Sequence, residues 1–287
     1  MISLEPLSLF RDWYIFYRAG QALSEGISPF RVEGFFNPIQ VAWILSFTTW
    51  IPFSVWVPLM IVVSFLLIVL LAKKRSHWML LSLPFMFGMI MGSLDAFLWV
   101  PARLLGGWGL SLLTLKPQLG IILIPIQLLN WWFENNRRDI INFLISTVLL
   151  WGIPTIIQPA WVMDWLASLP TLSSRMHSAA SFSGFSALTG AEWVYILLFG
   201  IVLAIILIKR SQAFYIAAAF SPSIWPSDWI LASEFVTWRF TLLSWLLIFT
   251  GLSENGAQFF WLLGALIWLE QNPKYLQNFW VKIKNPW

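Results

Sequence analysis

Residues 53–75 read FSVWVPLMIVVSFLLIVLLAKKR, and this stretch decides the fold class of the chain. Its first part, residues 53–72, carries no charge and has about the length that one helix needs to cross the hydrocarbon of a bilayer. The basic cluster at residues 73–75 follows directly, which is typical of the cytoplasmic end of a spanning segment. The stretch therefore predicts a membrane-spanning helix that ends at the cytoplasmic face.

The composition extends this prediction to the whole chain. Of its 287 residues, 59% are hydrophobic and 10% are charged, whereas soluble domains carry about 25% charged residues. Further basic pairs at residues 137–138 and 209–210 lie beside apolar runs. This placement is typical of cytoplasmic loops of membrane proteins, so the net charge of +4 does not require binding to nucleic acid. We expect an all-α, polytopic integral membrane protein with about eight or nine membrane helices, some short or broken.

The chain divides into two parts by charge. Residues 1–36 are predicted to form an extracytoplasmic interfacial helix and loop, because seven charges in residues 1–33 exclude a spanning helix and a cleavable signal peptide. Gly26 and Pro29 should end that helix. Residues 37–287 are predicted to form the transmembrane helical domain, with an extracytoplasmic, Ser-rich outer loop at 158–192.

The apolar runs of the second part fall into two kinds. A short helix is predicted at 39–50, and hydrophobic runs are predicted at 140–157, 193–208, 236–253 and 257–269. A further run at 212–227 is broken by Pro222 and Pro226. Residues 77–133 are instead interrupted by Gly, Pro and charged residues. Irregular backbone at membrane depth is tolerated only where it lines a cavity or is covered by protein, so this region predicts broken helices around a cavity.

Asp12 is the first candidate for chemistry. On a helix it shares a mostly apolar stripe with Ile15, Phe16 and Ala19, an unusual place for a carboxylate. Burial of an unpaired charge is costly, so Asp12 either faces a cavity or has a partner. Apart from a function in a cavity, the alternatives are an ion pair with Arg11 or Arg18 and a charge at the helix N-terminus.

Several other charges lie in apolar surroundings. Lys116 lies in a long apolar stretch, and an ionisable residue within the membrane is expected to be functional. The alternative is a lysine at a helix end whose side chain reaches out to the lipid headgroups. Asp95 and Arg103, eight residues apart, are expected to form an ion pair that holds broken helices together. Arg18 binds phosphate or merely solvates one face of the first helix.

The remaining candidates lie in loops. His177, in the outer loop, either closes over substrate or is simply exposed, and Asp228 either completes the cavity or caps the next helix. With no Cys and two His residues, a transition-metal site is not expected. A divalent ion held by Asp12, Asp95 and Asp228 stays open, since nothing in their spacing argues for it.

Scattered motifs resemble one enzyme family. Asp12, Tyr17, Ala19, Gly26, Pro29 and Pro38 occur in the order seen in the first extracytoplasmic loop of the GT-C glycosyltransferases that use polyprenyl-phosphate sugars. The sequence is most similar to the branch of the bacterial phosphatidylinositol mannoside mannosyltransferases. The segments Gly92-Ser93-Leu94-Asp95 and Leu115-Lys116-Pro117-Gln118 resemble that branch's Gly-Gln-x-Asn and Lys-Pro-Gln. The family also has a spanning helix before the Asp loop, which has no counterpart here.

The resemblance implies a hexosyltransferase, mannosyl or similar, in the bacterial plasma membrane. The donor would be a polyprenyl-phosphate sugar and the acceptor a lipid or glycan on the extracytoplasmic face. It implies that Asp12 is the general base, while Tyr17, Arg18, Lys116 and Gln118 bind substrate. The alternative is a non-catalytic subunit of a larger membrane complex, derived from the same family. A transporter is disfavoured, because the two halves show no inverted repeat of broken helices.

Overall fold

The structure is a computed structural model that describes residues 9–168, 226–247 and 261–273. All regular secondary structure in these ranges is helical, so the prediction of an all-α chain is confirmed for them. The α-helices are α1 (Arg11–Ser24), α2 (Ile39–Ser46), α3 (Phe53–Ala72), α4 (Ser76–Leu80), α5 (Leu83–Met91), α6 (Asp95–Leu104), α7 (Gly106–Leu110), α8 (Pro117–Phe133), α9 (Arg137–Ile157), α10 (Trp161–Ser168), α11 (Trp238–Leu246) and α12 (Trp261–Gln271). Short 3-10 helices form at Pro29–Arg31, Lys73–Arg75, Ser111–Leu115 and Pro226–Ala232.

Two segments are long and apolar enough to cross a membrane. Helix α3 continues through a 3-10 turn into α4, so Phe53–Leu80 is a helical segment of 28 residues, and an 18-residue stretch within it has a mean hydropathy of 2.9. Helix α9 has 21 residues, and an 18-residue stretch within it has a mean hydropathy of 2.0. The helical spans expected at 53–72 and 140–157 therefore form as helices, and their length and composition indicate membrane association.

The outer faces of these two helices are apolar. Large hydrophobic side chains that are more than half exposed include Val55, Val62, Leu66, Leu70, Ile141, Leu144, Val148, Ile156 and Ile157. Water-soluble monomers rarely expose apolar patches of this size. Contact with lipid chains would bury these side chains, which is consistent with two helices that face a bilayer.

Between α3 and α9 the chain forms the short helices that the sequence predicts. Proline lies in the first turn of α5 and of α8, where its fixed φ suits helix initiation and no amide hydrogen is needed. Gly92, with a φ of +103°, ends α5, and Gly106, with a φ of +57°, begins α7.

Trp13 joins three of these elements. Its side chain is fully buried, its ring lies edge-on against Trp56 of α3, and its indole N–H donates to the carbonyl of Met89 at 3.0 Å. The backbone N–H of Phe10 donates to the carbonyl of Ile90 at 2.8 Å. Helix α1 is thereby fixed against α3 and the end of α5, rather than lying apart as an independent surface helix.

Several boundaries differ from the sequence-based expectations. The interfacial helix, expected to be about 20 residues long, is 14 residues long among the described residues and ends at Ser24, two residues before Gly26 with its φ of +74°. The short helix expected at 39–50 ends at Ser46, where Thr48 accepts the indole N–H of Trp56 at 2.9 Å and the chain turns toward α3.

The later expectations are tested only in part. The outer loop expected at 158–192 begins with a helix, α10, because Trp161 is fully buried and packs with Trp151 at a centroid distance of 5.5 Å. The runs expected at 236–253 and 257–269 contain α11 and α12. The run at 193–208 and most of that at 212–227 lie outside the described residues.

Gly92 allows the first turn of α1 to approach the α5–α6 junction. A Cβ on Gly92 would lie 2.9 Å from the carbonyl carbon of Asp12 and closer still to the amide nitrogen of Trp13. We expect Gly92→Ala to lower the free energy of unfolding by at least about 2 kcal/mol, because backbone strain and overpacking add. Denaturant titration of the protein in detergent measures this.

Gly152, in the middle of α9, is the matched control, since a Cβ there meets no atom within 4 Å. Gly152→Ala should be neutral or stabilise by up to about 1 kcal/mol through helix propensity. Equal effects of the two substitutions would contradict the tight contact at Gly92.

Candidate functional site

A cavity of about 240 Å³ lies where the broken helices meet the first turn of α1. Its wall comes from five separate parts of the described chain: α1, the 34–37 turn, the α5–α6 junction, the start of α8 and the 3-10 helix Pro226–Ala232. The polar side chains that line it belong to Arg11, Asp12, Asn37, Ser93, Asp95, Lys116 and Ser227, and the apolar ones include Ile15, Phe16, Phe36, Phe87 and Leu98.

Lys116 lies between two carboxylates. Its ammonium group donates to Asp95 and to Asp228, and the hydroxyl of Ser93 also donates to Asp95. Asp95 begins α6, Lys116 immediately precedes α8, and Asp228 belongs to the 3-10 helix Pro226–Ala232. These three residues, which we call the Lys116 cluster, thus connect segments that are far apart in sequence.

Burial makes the pairing within the Lys116 cluster energetically important. The side chains of Asp95 and Asp228 are 2% and 0% exposed, and that of Lys116 is 14% exposed. Charges so far from water are tolerated only when paired and hydrogen-bonded, and removal of one partner leaves an uncompensated charge. The cluster therefore requires that all three segments be in place.

Asp12 lies in the first turn of α1, on the same cavity wall as Lys116 and Asp95. The contact of Gly92 with the Asp12–Trp13 backbone sets its position relative to the α5–α6 junction. The structure places Asp12 on the cavity wall, which is one of the two surroundings that its apolar stripe left open. A carboxylate in this place has room for a small ligand beside it.

Arg11 also lines the cavity, which the helical pattern did not predict. Its side chain makes no hydrogen bond or ion pair with the described residues, and its Nε is buried without a partner. The 3.6-residue period separates consecutive residues by about 100° and so removed Arg11 from the face of Asp12. At the end of a helix the cavity wraps around the axis, so adjacent residues both reach it.

Two predicted site residues lie elsewhere. The hydroxyl of Tyr17 donates to the carbonyls of Thr49 and Ile51, at 3.1 and 3.0 Å, and so anchors the turn before α3. Arg18 is exposed and donates to Gln21 at 2.8 Å. Neither side chain lines the cavity, so neither is in a position to touch a ligand there.

The expected ion pair between Asp95 and Arg103 is wrong. The two residues occupy the first and ninth positions of α6, and eight residues of helix span about 12 Å. Arg103 instead donates to the carboxylate of Glu234 at 2.6 Å and lies over the ring of Trp99. The side chains of Arg103 and Glu234 are 29% and 28% exposed, so this pair is far more accessible than the Lys116 cluster.

Two candidates are not tested. His177 lies outside the described residues, and so does the side chain of Gln118, whose backbone is the second residue of α8. No group of three His, Asp or Glu residues arranged to hold a metal ion occurs in residues 9–168, 226–247 and 261–273. In the Lys116 cluster an ammonium group stands between the two carboxylates that a divalent ion would need.

Comparison of the sequence with protein-family models and curated proteins, and of the structure with solved structures, finds no match. Inference about function therefore depends on the cavity itself and on the sequence motifs around it.

The Lys116 cluster predicts a specific pattern of stability. Lys116→Met should lower the free energy of unfolding by about 3 to 5 kcal/mol, because it leaves Asp95 and Asp228 buried without their counter-charge. Glu234→Gln, which removes the more exposed pair with Arg103, should cost about 1 kcal/mol or less.

The triple variant Asp95→Asn, Lys116→Met, Asp228→Asn separates charge from packing. It should recover much of the stability lost in Lys116→Met, since no buried charge then lacks a partner. Denaturant titration of the four proteins tests this pattern. A triple variant no more stable than Lys116→Met would show that the cluster acts through shape rather than charge.

Proposed function

We propose that this protein is a membrane glycosyltransferase of the GT-C type, which transfers a mannose-like hexose from a polyprenyl phosphate to a lipid or glycan acceptor. The observation that carries the proposal is the common cavity of Asp12, Asp95 and Lys116. These residues belong to the three sequence motifs that resemble the family. Asp12 lies more than 80 residues before the other two in the sequence, yet all three line one wall, which supports a functional site over a chance likeness.

In this proposal Asp12 is the general base. Its carboxylate removes the proton of the acceptor hydroxyl while the hydroxyl oxygen bonds to the anomeric carbon of the sugar. The bond from that carbon to the phosphate oxygen breaks, and the polyprenyl phosphate leaves with the electron pair. An inverting transfer needs one carboxylate on the face opposite the leaving group, within hydrogen-bond reach of the attacking oxygen.

The size of the cavity supports a small reacting group. Its volume of about 240 Å³ lies just below the range of roughly 300 to 1,000 Å³ that is typical of ligand pockets. Such a space suits a single sugar ring better than a glycan chain. The aromatic side chains of Phe16, Phe36 and Phe87 on its wall offer apolar faces for the ring.

The Lys116 cluster modifies the role that the sequence motifs imply for Lys116. Its ammonium group is already bound by Asp95 and Asp228, so it is not available as an isolated cation for a donor phosphate. In this proposal Lys116 holds the helix ends in place and shapes the cavity. A cation elsewhere on the wall is then needed to stabilise the charge of the leaving phosphate.

The proposal includes a membrane arrangement. We infer a polytopic protein of the bacterial plasma membrane with about eight or nine membrane helices, of which α3 and α9 are the two long apolar ones. The basic clusters after α3 and at the start of α9 would face the cytoplasm. The first 36 residues and the 158–192 segment would then be extracytoplasmic, on the side where polyprenyl-linked sugars are used.

A second candidate function is that of a non-catalytic subunit in a larger membrane complex. The two hydrogen bonds from Lys116 to Asp95 and Asp228 favour this second candidate. A buried charge cluster whose members are all paired stabilises the fold and needs no ligand. In that case Asp12 would not act as a base. The protein would co-purify with a larger complex and would transfer no sugar.

The deciding experiment is transfer of labelled sugar from polyprenyl-phosphate donors in membranes that contain the wild type or Asp12→Asn. We expect Asp12→Asn to fold normally and to lose transfer by at least about a hundredfold, since it cannot accept a proton. Glu25→Gln, at the other end of α1, removes an exposed carboxylate and is the matched control.

Transfer that depends on Asp12 but not on Glu25 would support the enzyme and its base together. Full activity in Asp12→Asn would remove Asp12 from the mechanism. Absence of transfer from several donors, with folded wild-type protein, would favour the subunit.

A further inference from the structure

Arg11 is a cation on the cavity wall whose hydrogen-bonding capacity is unused by the described residues. Its Nε is buried and has no partner, whereas the ammonium group of Lys116, on the same wall, is held by two carboxylates. A guanidinium group carries five N–H donors in a planar fork that fits two oxygens of a phosphate. Arg11 therefore gives the cavity wall donors that suit an oxyanion.

An apolar groove of about 380 Å³ lies beside Arg11. It is formed by Phe10 together with the first half of α3, through the side chains of Phe53, Ser54, Val57, Pro58, Ile61 and Val62. Its surface is apolar, so it suits a hydrocarbon chain and offers nothing to a polar ligand.

Consecutive residues line the groove and the charged cavity. Phe10 lines the groove, Arg11 lines the cavity, and the backbone N–H of Phe10 is fixed by the carbonyl of Ile90 at 2.8 Å. At its other side the groove reaches Val62, which is 54% exposed on the apolar outer face of α3. A chain in the groove would thus be continuous with the surface that we assign to lipid.

We infer that Arg11 and this groove form one binding site for a lipid phosphate, with the phosphate on the guanidinium group and the hydrocarbon chain along Phe10 and α3. The inference rests on the proposed function only for the identity of that lipid, which would be the polyprenyl carrier of the sugar. Asp12, the next residue, lies about 100° around the helix axis, so the cavity presents the cation and the base at separate positions.

Binding measured without any transfer reaction tests this site. The full chain in phosphatidylcholine nanodiscs is titrated with radiolabelled farnesyl phosphate. Arg11→Gln should weaken binding by about ten- to a hundredfold, because a charge-assisted contact to the phosphate is lost. Arg18→Gln, on the same helix but outside the cavity, should bind like the wild type.

The groove is tested with a second matched pair. Val62→Trp fills the groove and should weaken farnesyl phosphate by about tenfold. Val55→Trp, on the same helix and 56% exposed but away from the groove, should have no such effect. Methyl phosphate, which has no chain, should bind weakly and independently of Val62, and farnesol, which has no phosphate, should bind independently of Arg11.

The outcomes are distinct. Unchanged binding in Arg11→Gln overturns the inference, and so does a Val62→Trp effect no larger than that of Val55→Trp. Methyl phosphate that binds as tightly as farnesyl phosphate would identify free phosphate as the ligand and overturn the lipid site. Binding that depends on Arg11 in a protein that transfers no sugar would leave this site in place and count against the proposed enzyme alone.

Discussion

The pairing of Lys116 with Asp95 and Asp228 is the interaction on which the rest of the described structure depends. Each of the three residues lies at or beside the end of a short helix, and each would be costly to bury alone. Held together, they fix the start of α6, the start of α8 and the 3-10 helix Pro226–Ala232 relative to one another. The cavity lies between these helix ends and the first turn of α1.

Electrostatic and steric constraints act on the same junction from opposite sides. The Lys116 cluster fixes the α5–α6 junction from within, while Trp13 and the close approach at Gly92 fix α1 against it. The more exposed pair of Arg103 with Glu234 connects the far end of α6 to the chain after the 3-10 helix. A cavity with rigid walls on all these sides can hold a carboxylate and a guanidinium group in fixed positions, which is what a binding or catalytic site needs.

The charged residues of the cavity thus divide into two uses. Lys116 donates hydrogen bonds to carboxylates and holds helix ends in place. Arg11 makes no hydrogen bond or ion pair with the described residues, so its guanidinium group is suited to bind a ligand. From sequence alone the assignment was the reverse, with Lys116 and Arg18 as the cations for phosphate. The reason is that intramembrane position marks a charge as unusual but does not say whether another part of the chain neutralises it.

The sequence by itself determined the helical class, the two long apolar helices and the breaks between residues 77 and 133. These features depend on local composition, on proline and on glycine, all of which act over a few residues. It also indicated Asp12, Asp95, Lys116 and Asp228 as candidate site residues, because a charged side chain in apolar surroundings is costly unless it is paired or functional. Only the tertiary structure decided which of these charges pair, that Arg103 turns to Glu234, and that Arg11 reaches the cavity. Such pairings join residues up to 131 positions apart, and no periodicity along one helix carries information over that distance.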